Sequence, residues 1–244
     1  MTHNTPLRIV WFKRDLRVSD NAPLLHASRG KVIPLYILEP DYWTLKDTSA
    51  RQQDVLIAAL RDLNAALSKL GAPLIVRQGD AVDVFKTLLA AHPITEVVSH
   101  EETGNAWTYQ RDLQVAKLLR SQNIPWREFP NHGVVRGLKD RDGWSKRWHQ
   151  TMASAQVQTP EQLEPGADLT SDIDQLRAPG ASSEWLITAR ADAEQGLESF
   201  LQARGASYHL SMSSPLTAES TCSRLSVPLS LGLISMREIY QATQ

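Results

Sequence analysis

The chain has 244 residues, 42% hydrophobic and 22% charged, with a net charge of -1, a balance that suits one or two globular domains with a buried core. Near-neutrality excludes a globally basic nucleic-acid binder. No apolar run approaches the ~20 residues that span a bilayer, and the opening Met1-Thr2-His3-Asn4-Thr5-Pro6 lacks the basic and apolar regions of a secretory signal. A single cysteine, Cys222, excludes an internal disulfide framework and fits a reducing, cytoplasmic setting.

Along the chain, the first part alternates strand and helix patterns. Leu7, Ile9, Val10, Trp11 and Phe12 form a short apolar run that suits a buried parallel strand, and Val32 to Leu38 forms a second. Pro34 cannot donate to a ladder, which predicts an edge or bulged position there. Leu74-Ile75-Val76, Glu96-Val97-Val98-Ser99 and Pro125 to Phe129 supply three more strands. Leu56, Leu60, Leu63, Leu67 and Leu70 recur at steps of three and four. They predict a helix from Ser49 to Leu70, with Ser49 as its cap and Gly71 as its left-handed stop. Asp80 opens a helix with Val82, Phe85, Leu88 and Leu89 on its inner face. Asn105 to Gln122 reads as another, with Leu113, Ala116, Leu118 and Leu119 inward. Strands spaced by helices of this length imply right-handed crossovers and an α/β fold, a doubly wound, Rossmann-like parallel sheet of five strands.

From Ala155 to Glu184 the periodicity dissolves. Pro160, Pro165, Gly166, Pro179 and Gly180 punctuate an acidic stretch that reads as a long connection wrapped over the surface. Ala193 to Arg204 is helical again, with Leu197, Phe200 and Leu201 inward. The predicted organisation is an α/β domain over residues 1–132, an interdomain linker over 133–192 and the start of an all-α segment over 193–244. Charge is uneven: Arg127 to His149 holds six Lys/Arg against three acids, whereas Thr151 to Ala203 holds nine acids against Arg177 and Arg190. The basic stretch is either a solvated mixed surface or a modest phosphate-facing patch.

Doubly wound sheets bind ligands outside the carboxyl ends of their strands. Trp11-Phe12-Lys13-Arg14-Asp15-Leu16-Arg17 therefore stands where a site belongs; the competing reading makes Arg14, Asp15 and Arg17 a structural ion network at the sheet edge. Asp20 or Asn21 caps the helix that follows. Beyond the fourth strand, Glu101 and Glu102 have no nucleophile or metal-ligand spacing near them, which disfavours acid/base work. Thr103 or Asn105 caps the next helix, and Trp107 either stacks on a flat chromophore or simply packs. Gly79-Asp80 reads as an ordinary capped turn rather than an anion site. With no G-x-G-x-x-G or Walker loop, nicotinamide and P-loop ATPase chemistry is disfavoured. Trp144, Trp148 and Met152 share one helical face that reads as a core stripe, with base stacking as the alternative. Cys222-Ser223-Arg224-Leu225-Ser226 combines small hydroxyls, backbone amides at a helix start and an arginine, a pattern for phosphate recognition.

Two of these strings together resemble the DNA photolyase/cryptochrome family. Trp11 to Asn21 is similar to the family's Trp-Phe-Arg-Arg-Asp-Leu-Arg-x-x-Asp-Asn, with Lys13 in place of the first Arg. Cys222 to Ser226 is similar to Thr-Ser-Arg-Leu-Ser-Pro, with Cys222 replacing the Thr and the proline one place later at Pro228. Gly232-Leu233-Ile234-Ser235, Arg237 and Glu238 continue the resemblance. It implies FAD, with Tyr208, Ser223, Arg224, Leu225 and Ser226 at its diphosphate. It also implies an antenna chromophore, whether folate, deazaflavin or flavin. The folate grip is not carried over, because Trp107-Thr108 stand where folate-binding members have Asn-Glu. The implied activity is light-driven splitting of pyrimidine dimers in damaged DNA, a carbon–carbon lyase reaction of the full-length parent. The alternatives are a blue-light-sensing cryptochrome or a truncated antenna-binding domain without activity. The resemblance implies no metal and no membrane partner, and assigns no catalytic side chain here. Most of the flavin-binding helical domain is expected beyond residue 244, which leaves enzymatic activity of this chain itself undecided.

Overall fold

The structure, a computed structural model, describes residues 5–181 and 186–244. The first four residues and the stretch 182–185, where the predicted connection ends, lie outside them. Strands β1 (Leu7–Phe12), β2 (Lys31–Leu38), β3 (Ile75–Gln78), β4 (Ile94–His100) and β5 (Trp126–Phe129) form a parallel sheet in the order β3-β2-β1-β4-β5. Helices α1 (Ala22–Ala27), α2 (Ala50–Lys69), α3 (Ala81–Ala91) and α4 (Ala106–Ser121) lie between them in sequence. Strand order reverses at β1, so the switch point lies beside the carboxyl ends of β1 and β4. Val10 and Phe12 join the apolar cluster of α2, while Ile9 and Trp11 join that of Phe85, Val115 and Leu119. Both faces of β1 are thus buried, as expected of a parallel strand covered on two sides.

The predicted caps form. Asn21 accepts from the Leu24 amide at 3.0 Å, Ser49 from Gln52 at 3.3 Å, and Asn105 from Thr108 at 3.1 Å. Asp80 accepts from Val82 and Asp83 at 2.8 and 3.2 Å, so Gly79-Asp80 is the capped turn. Pro34 departs from expectation, because β2 is an interior strand. The proline is tolerated because it falls in a gap: β6 (Glu164–Pro165) pairs with Lys31 and Val32, and β3 pairs only from Leu35 onward. On α4 the buried stripe is Thr108, Val115 and Leu119, and Leu113 is 44% exposed rather than inward. Polar Arg111 and Asp112 fall between Thr108 and Val115 along the helix. On α5 (Trp144–Ala153), Met152 is fully buried but Trp144 is 43% exposed, so the stripe enters the core only in its last turn.

The acidic connection is more than a surface wrapping. Leu163, Ile173 and Leu176 are buried in the main core, and β6 extends the sheet. Beyond it come α6 (Arg190–Gln202), α7 (Tyr208–Ser211), α8 (Ala218–Thr221), α9 (Ser226–Leu231) and α10 (Met236–Ala242). Leu197, Leu225 and Ile234 make a small cluster of their own, while Leu233 enters the α/β core beside Phe12, Leu16 and Leu24.

A buried polar clasp holds these helices against the sheet. The Leu16 amide donates to Leu231 O at 3.0 Å. Arg17, 2% exposed, donates to Gly232 O, Asp20 O and Asn131 Oδ1 at 3.0, 3.1 and 3.0 Å. Asp20 accepts from Ser235 Oγ at 2.6 Å, Arg237 at 2.9 Å and the Val157 amide at 2.9 Å. Of the two readings of this string, the structural network holds for Asp15, Arg17, Asp20 and Asn21, while Lys13 and Arg14 reach a cavity. Gly232 makes the clasp possible: its φ is +69°, and a Cβ there would lie 2.3 Å from Arg14 O and 2.6 Å from the Asp15 Cα. Gly232→Ala combines left-handed strain with a backbone clash, so it is expected to cost about 2–4 kcal/mol in urea denaturation; a loss below about 0.5 kcal/mol would contradict the clasp.

Candidate functional site

Three loops leave the carboxyl ends of β1, β2 and β4 and meet at the switch point. They surround a cavity of ≈ 160 Å³ lined by Trp11, Tyr36, Tyr42, Trp43 and Arg111, among others. β1 delivers Lys13 and Arg14 to this space, β2 delivers Tyr36 and Glu39, the segment after β4 delivers Glu102, and the first turns of α4 deliver Thr108 and Arg111. The 3-10 turn Pro40–Thr44 adds Tyr42 and Trp43 to the lining. There Tyr42 meets Trp43 and Trp107 edge-on, each at 5.4 Å, and its hydroxyl accepts from Arg14 at 2.9 Å. At the far end α9 closes the wall with Ser230 and Leu231.

The polar wall is an ion cluster. Arg111 bonds Glu39 at 3.0 Å and Asp112 at 2.9 Å, and also Glu102. Lys13 lies 3.1 Å from Asp112 and 3.8 Å from Glu102. Both cations face the Trp11 ring, each 4.9 Å from its centre, an arrangement worth about 1–2 kcal/mol per contact when water is excluded. Phe85 packs edge-on beneath Trp11 at 5.1 Å and holds the ring in place. Charges this buried persist because they are paired. Burial opposes the Arg111 charge, but Glu102, Asp112 and Glu39 together raise its pKa. Burial pushes Glu39 up to about 7 despite Arg111. Burial likewise raises the Tyr36 phenol, which stays protonated and has no hydrogen-bond partner among the described residues.

Beside this wall, His100 Nδ1 donates to Asp15 Oδ2 at 2.7 Å, and the Lys13 amide donates to Asp15 Oδ1 at 2.8 Å. Burial drives the His100 pKa down, so the ring is neutral at pH 7. Burial alone would raise Asp15, but the His100 and Lys13 hydrogen bonds and Arg17 hold it below the usual carboxylate range. This pair ties the ends of β1 and β4 together. The Glu101-Glu102 pair divides its work: Glu101 faces Arg136 at 3.3 Å, and Glu102 joins the cluster.

The residues read from sequence as a diphosphate site lie elsewhere, on the outer helices. Tyr208 and Ser226 are exposed, and Leu225 is buried in the small helical cluster. Arg224 sits at φ +63° and lies 3.7 Å from Glu219. Arg204 links this loop to α6 by donating to Cys222 O, to Ser199 Oγ at 3.0 Å and to Gly196 O at 2.7 Å. None of Tyr208, Ser223, Arg224, Leu225 and Ser226 lines the switch-point cavity. α9 joins the two regions: it starts at Ser226 and ends on the cavity wall.

The cavity residues Tyr36, Glu39, Tyr42 and Trp43 were not singled out from sequence as site residues. Glu39 carried a usable signal, since it directly follows a predicted strand. With Glu39 raised to about 7, its folded carboxyl keeps a proton that the unfolded chain releases at lower pH. Its stabilising contribution is full below the ordinary carboxylate range and is lost as pH rises through 7. Urea denaturation of Glu39→Gln should therefore gain about 2 kcal/mol on wild type between pH 5 and pH 8. A wild-type-minus-variant difference that does not change with pH would contradict this electrostatic account.

The sequence profile of the DNA photolyase family matches residues 8–140. Deoxyribodipyrimidine photo-lyase of Escherichia coli (strain K12) is 28% identical over 258 aligned residues, covering 94% of this chain and 52% of that protein. A class III photolyase from Agrobacterium tumefaciens has a similar fold, with TM-score 0.80 and 23% identity over 100% of this chain and 54% of the other. So does an archaeal photolyase from Sulfolobus tokodaii, described with two FAD molecules, with TM-score 0.74 and 24% identity over 97% of this chain and 54% of the other. This chain spans about half the length of each of these proteins. With the family profile matched over more than half of its residues, on the same strands that build the switch-point cavity, the chain belongs to the DNA photolyase family.

Proposed function

We propose that this chain is the N-terminal portion of a deoxyribodipyrimidine photolyase-like flavoprotein that repairs pyrimidine dimers in DNA with light, and that its switch-point cavity is the antenna site. The observation that carries the reading is the cavity itself. Aromatic rings from β1, β2 and the turn after β2 line a space at the carboxyl ends of β1, β2 and β4, where doubly wound sheets bind ligands. The two FAD molecules of the Sulfolobus tokodaii photolyase support a second chromophore in such a fold. FAD would supply the photochemical electron. Tyr208, Ser223, Arg224, Leu225 and Ser226 would contribute one side of its diphosphate contact. They fit that part only in outline, because Tyr208 and Ser226 face outward and Arg224 lies beside Glu219.

On this reading the 244-residue chain positions chromophores and no side chain in it performs bond chemistry. A one-sided contact cannot enclose a flavin, so the purified chain is expected to release FAD on gel filtration. It is also expected to show no light-dependent splitting of thymine dimers in an irradiated oligonucleotide. Dimer splitting by this chain alone would contradict the division of labour. Near-UV and visible absorption, with mass analysis of any released chromophore, tests the antenna assignment. A band above about 350 nm that is retained by the folded chain and lost on denaturation is expected if the cavity holds a light absorber.

A further inference from the structure

We propose that Asn131 and His132 form a proton-sensitive latch on the buried clasp: protonation of the His132 ring withdraws the Asn131 amide from Arg17 and loosens α9 and α10 from the sheet. The latch operates whatever the switch-point cavity binds.

Donor and acceptor roles are forced along this chain of bonds. The Arg17 guanidinium can only donate, so the Asn131 atom that meets its Nη2 at 3.0 Å is the amide oxygen. The amide Nδ2 therefore faces His132 Nε2 at 3.1 Å, and it too can only donate. His132 Nε2 must accept, which makes the ring neutral with its proton on Nδ1. A proton added at Nε2 sets two donors against each other. Turning the amide over satisfies His132 but presents Nδ2 to Arg17, again donor against donor. The amide presents its oxygen to one side at a time, so a charged His132 and the Arg17–Asn131 bond exclude each other.

Arg17 has no spare bond to give up. It is buried, its Nε has no hydrogen-bond partner among the described residues, and its Nη atoms are held by Gly232 O, Asp20 O and Asn131. Gly232 lies between α9 and α10. Losing the Asn131 bond leaves a further buried donor unpaired in the group that holds this junction, which is costly.

The surroundings set the direction of the response. A small space beside His132, ≈ 20 Å³ and room for about one water, is also lined by Lys13, Arg14 and Asp15 after β1 and by His100, Glu101 and Glu102 from the end of β4 onward. Arg17 acts across Asn131. Burial, then Arg17 and His100, disfavour the charged ring; Asp15 favours it, and the balance lowers the His132 pKa. The unfolded chain therefore takes up this proton first. The neutral ring's contribution to stability is full above about pH 6.5, the ordinary histidine value, and is lost as pH falls below it. His100 titrates in the same direction, but its bond to Asp15 joins the ends of β1 and β4, so its loss is felt on those strands.

Native-state hydrogen exchange of the 244-residue chain at pH 7 and pH 5.5 tests the latch. The hydrogen-bonded amides of Leu229, Gly232, Leu233 and Ile239 report on α9 and α10, with β1 and β4 as the internal reference. In wild type their protection is expected to fall about tenfold relative to the strands on acidification. His132→Gln keeps a neutral acceptor within reach, so it should abolish the relative fall and leave protection at pH 7 within about twofold of wild type. Asn131→Asp supplies a carboxylate that accepts from Arg17 and a charged His132 together, so it should abolish the fall as well. No relative fall in wild type would overturn the latch. So would a fall that persists in His132→Gln, or one that vanishes there but persists in Asn131→Asp. If Asn131→Asp does not fold by circular dichroism, the outcome in His132→Gln decides alone.

Discussion

The buried bonding of Arg17 and Asp20 to residues 231–237 is the constraint on which the remaining structure depends. Alone, the sheet and its helices would make an ordinary doubly wound unit. The clasp adds the C-terminal helices to it through groups that are costly to leave unpaired once buried. Gly232 lets the chain pass within van der Waals distance of Arg14 and Asp15, and Leu233 then drops into the α/β core. The same approach places Ser230 and Leu231 on the cavity wall. One contact therefore both fixes the helices and completes the site.

The second constraint is electrostatic. The cavity wall is built from charges that satisfy one another, with two cations stacked on Trp11. Such a wall keeps its arrangement only while its pairs are intact, because removing one member leaves a buried charge uncompensated. It holds the Trp11 ring between its cations and Phe85. The Asp15–His100 pair sits just behind and couples the loops after β1 and β4.

The fold was legible because its signals are local. Hydrophobic periodicity, helix caps and strand runs each follow from nearest neighbours, and Ser49, Asp80 and Asn105 cap as read. Pro34 misled because its tolerance depends on where β3 and β6 begin to pair, a non-local fact. Leu113 misled because α4 turns a polar pair, Arg111 and Asp112, toward the cluster. The candidate site was legible only in part. Lys13 and Arg14 stand in a recognisable string, but Tyr36, Glu39 and Trp43 become site residues only when the sheet brings β2 beside β1. The charged string itself served two purposes: Arg17 and Asp20 face the helices and Lys13 faces the cavity, a division that depends on side-chain direction. The acidic connection read as surface, yet Leu163, Ile173 and Leu176 anchor it, because isolated apolar residues in a Pro/Gly-rich stretch carry no period.

Native-state hydrogen exchange on Arg17→Met tests the central claim most directly. If the clasp unites the helices with the sheet, amides of α9 and α10 should lose protection together while those of β1 and β4 keep theirs. Unchanged protection across residues 226–242 would show that those helices are held by their own apolar cluster, and would contradict the account.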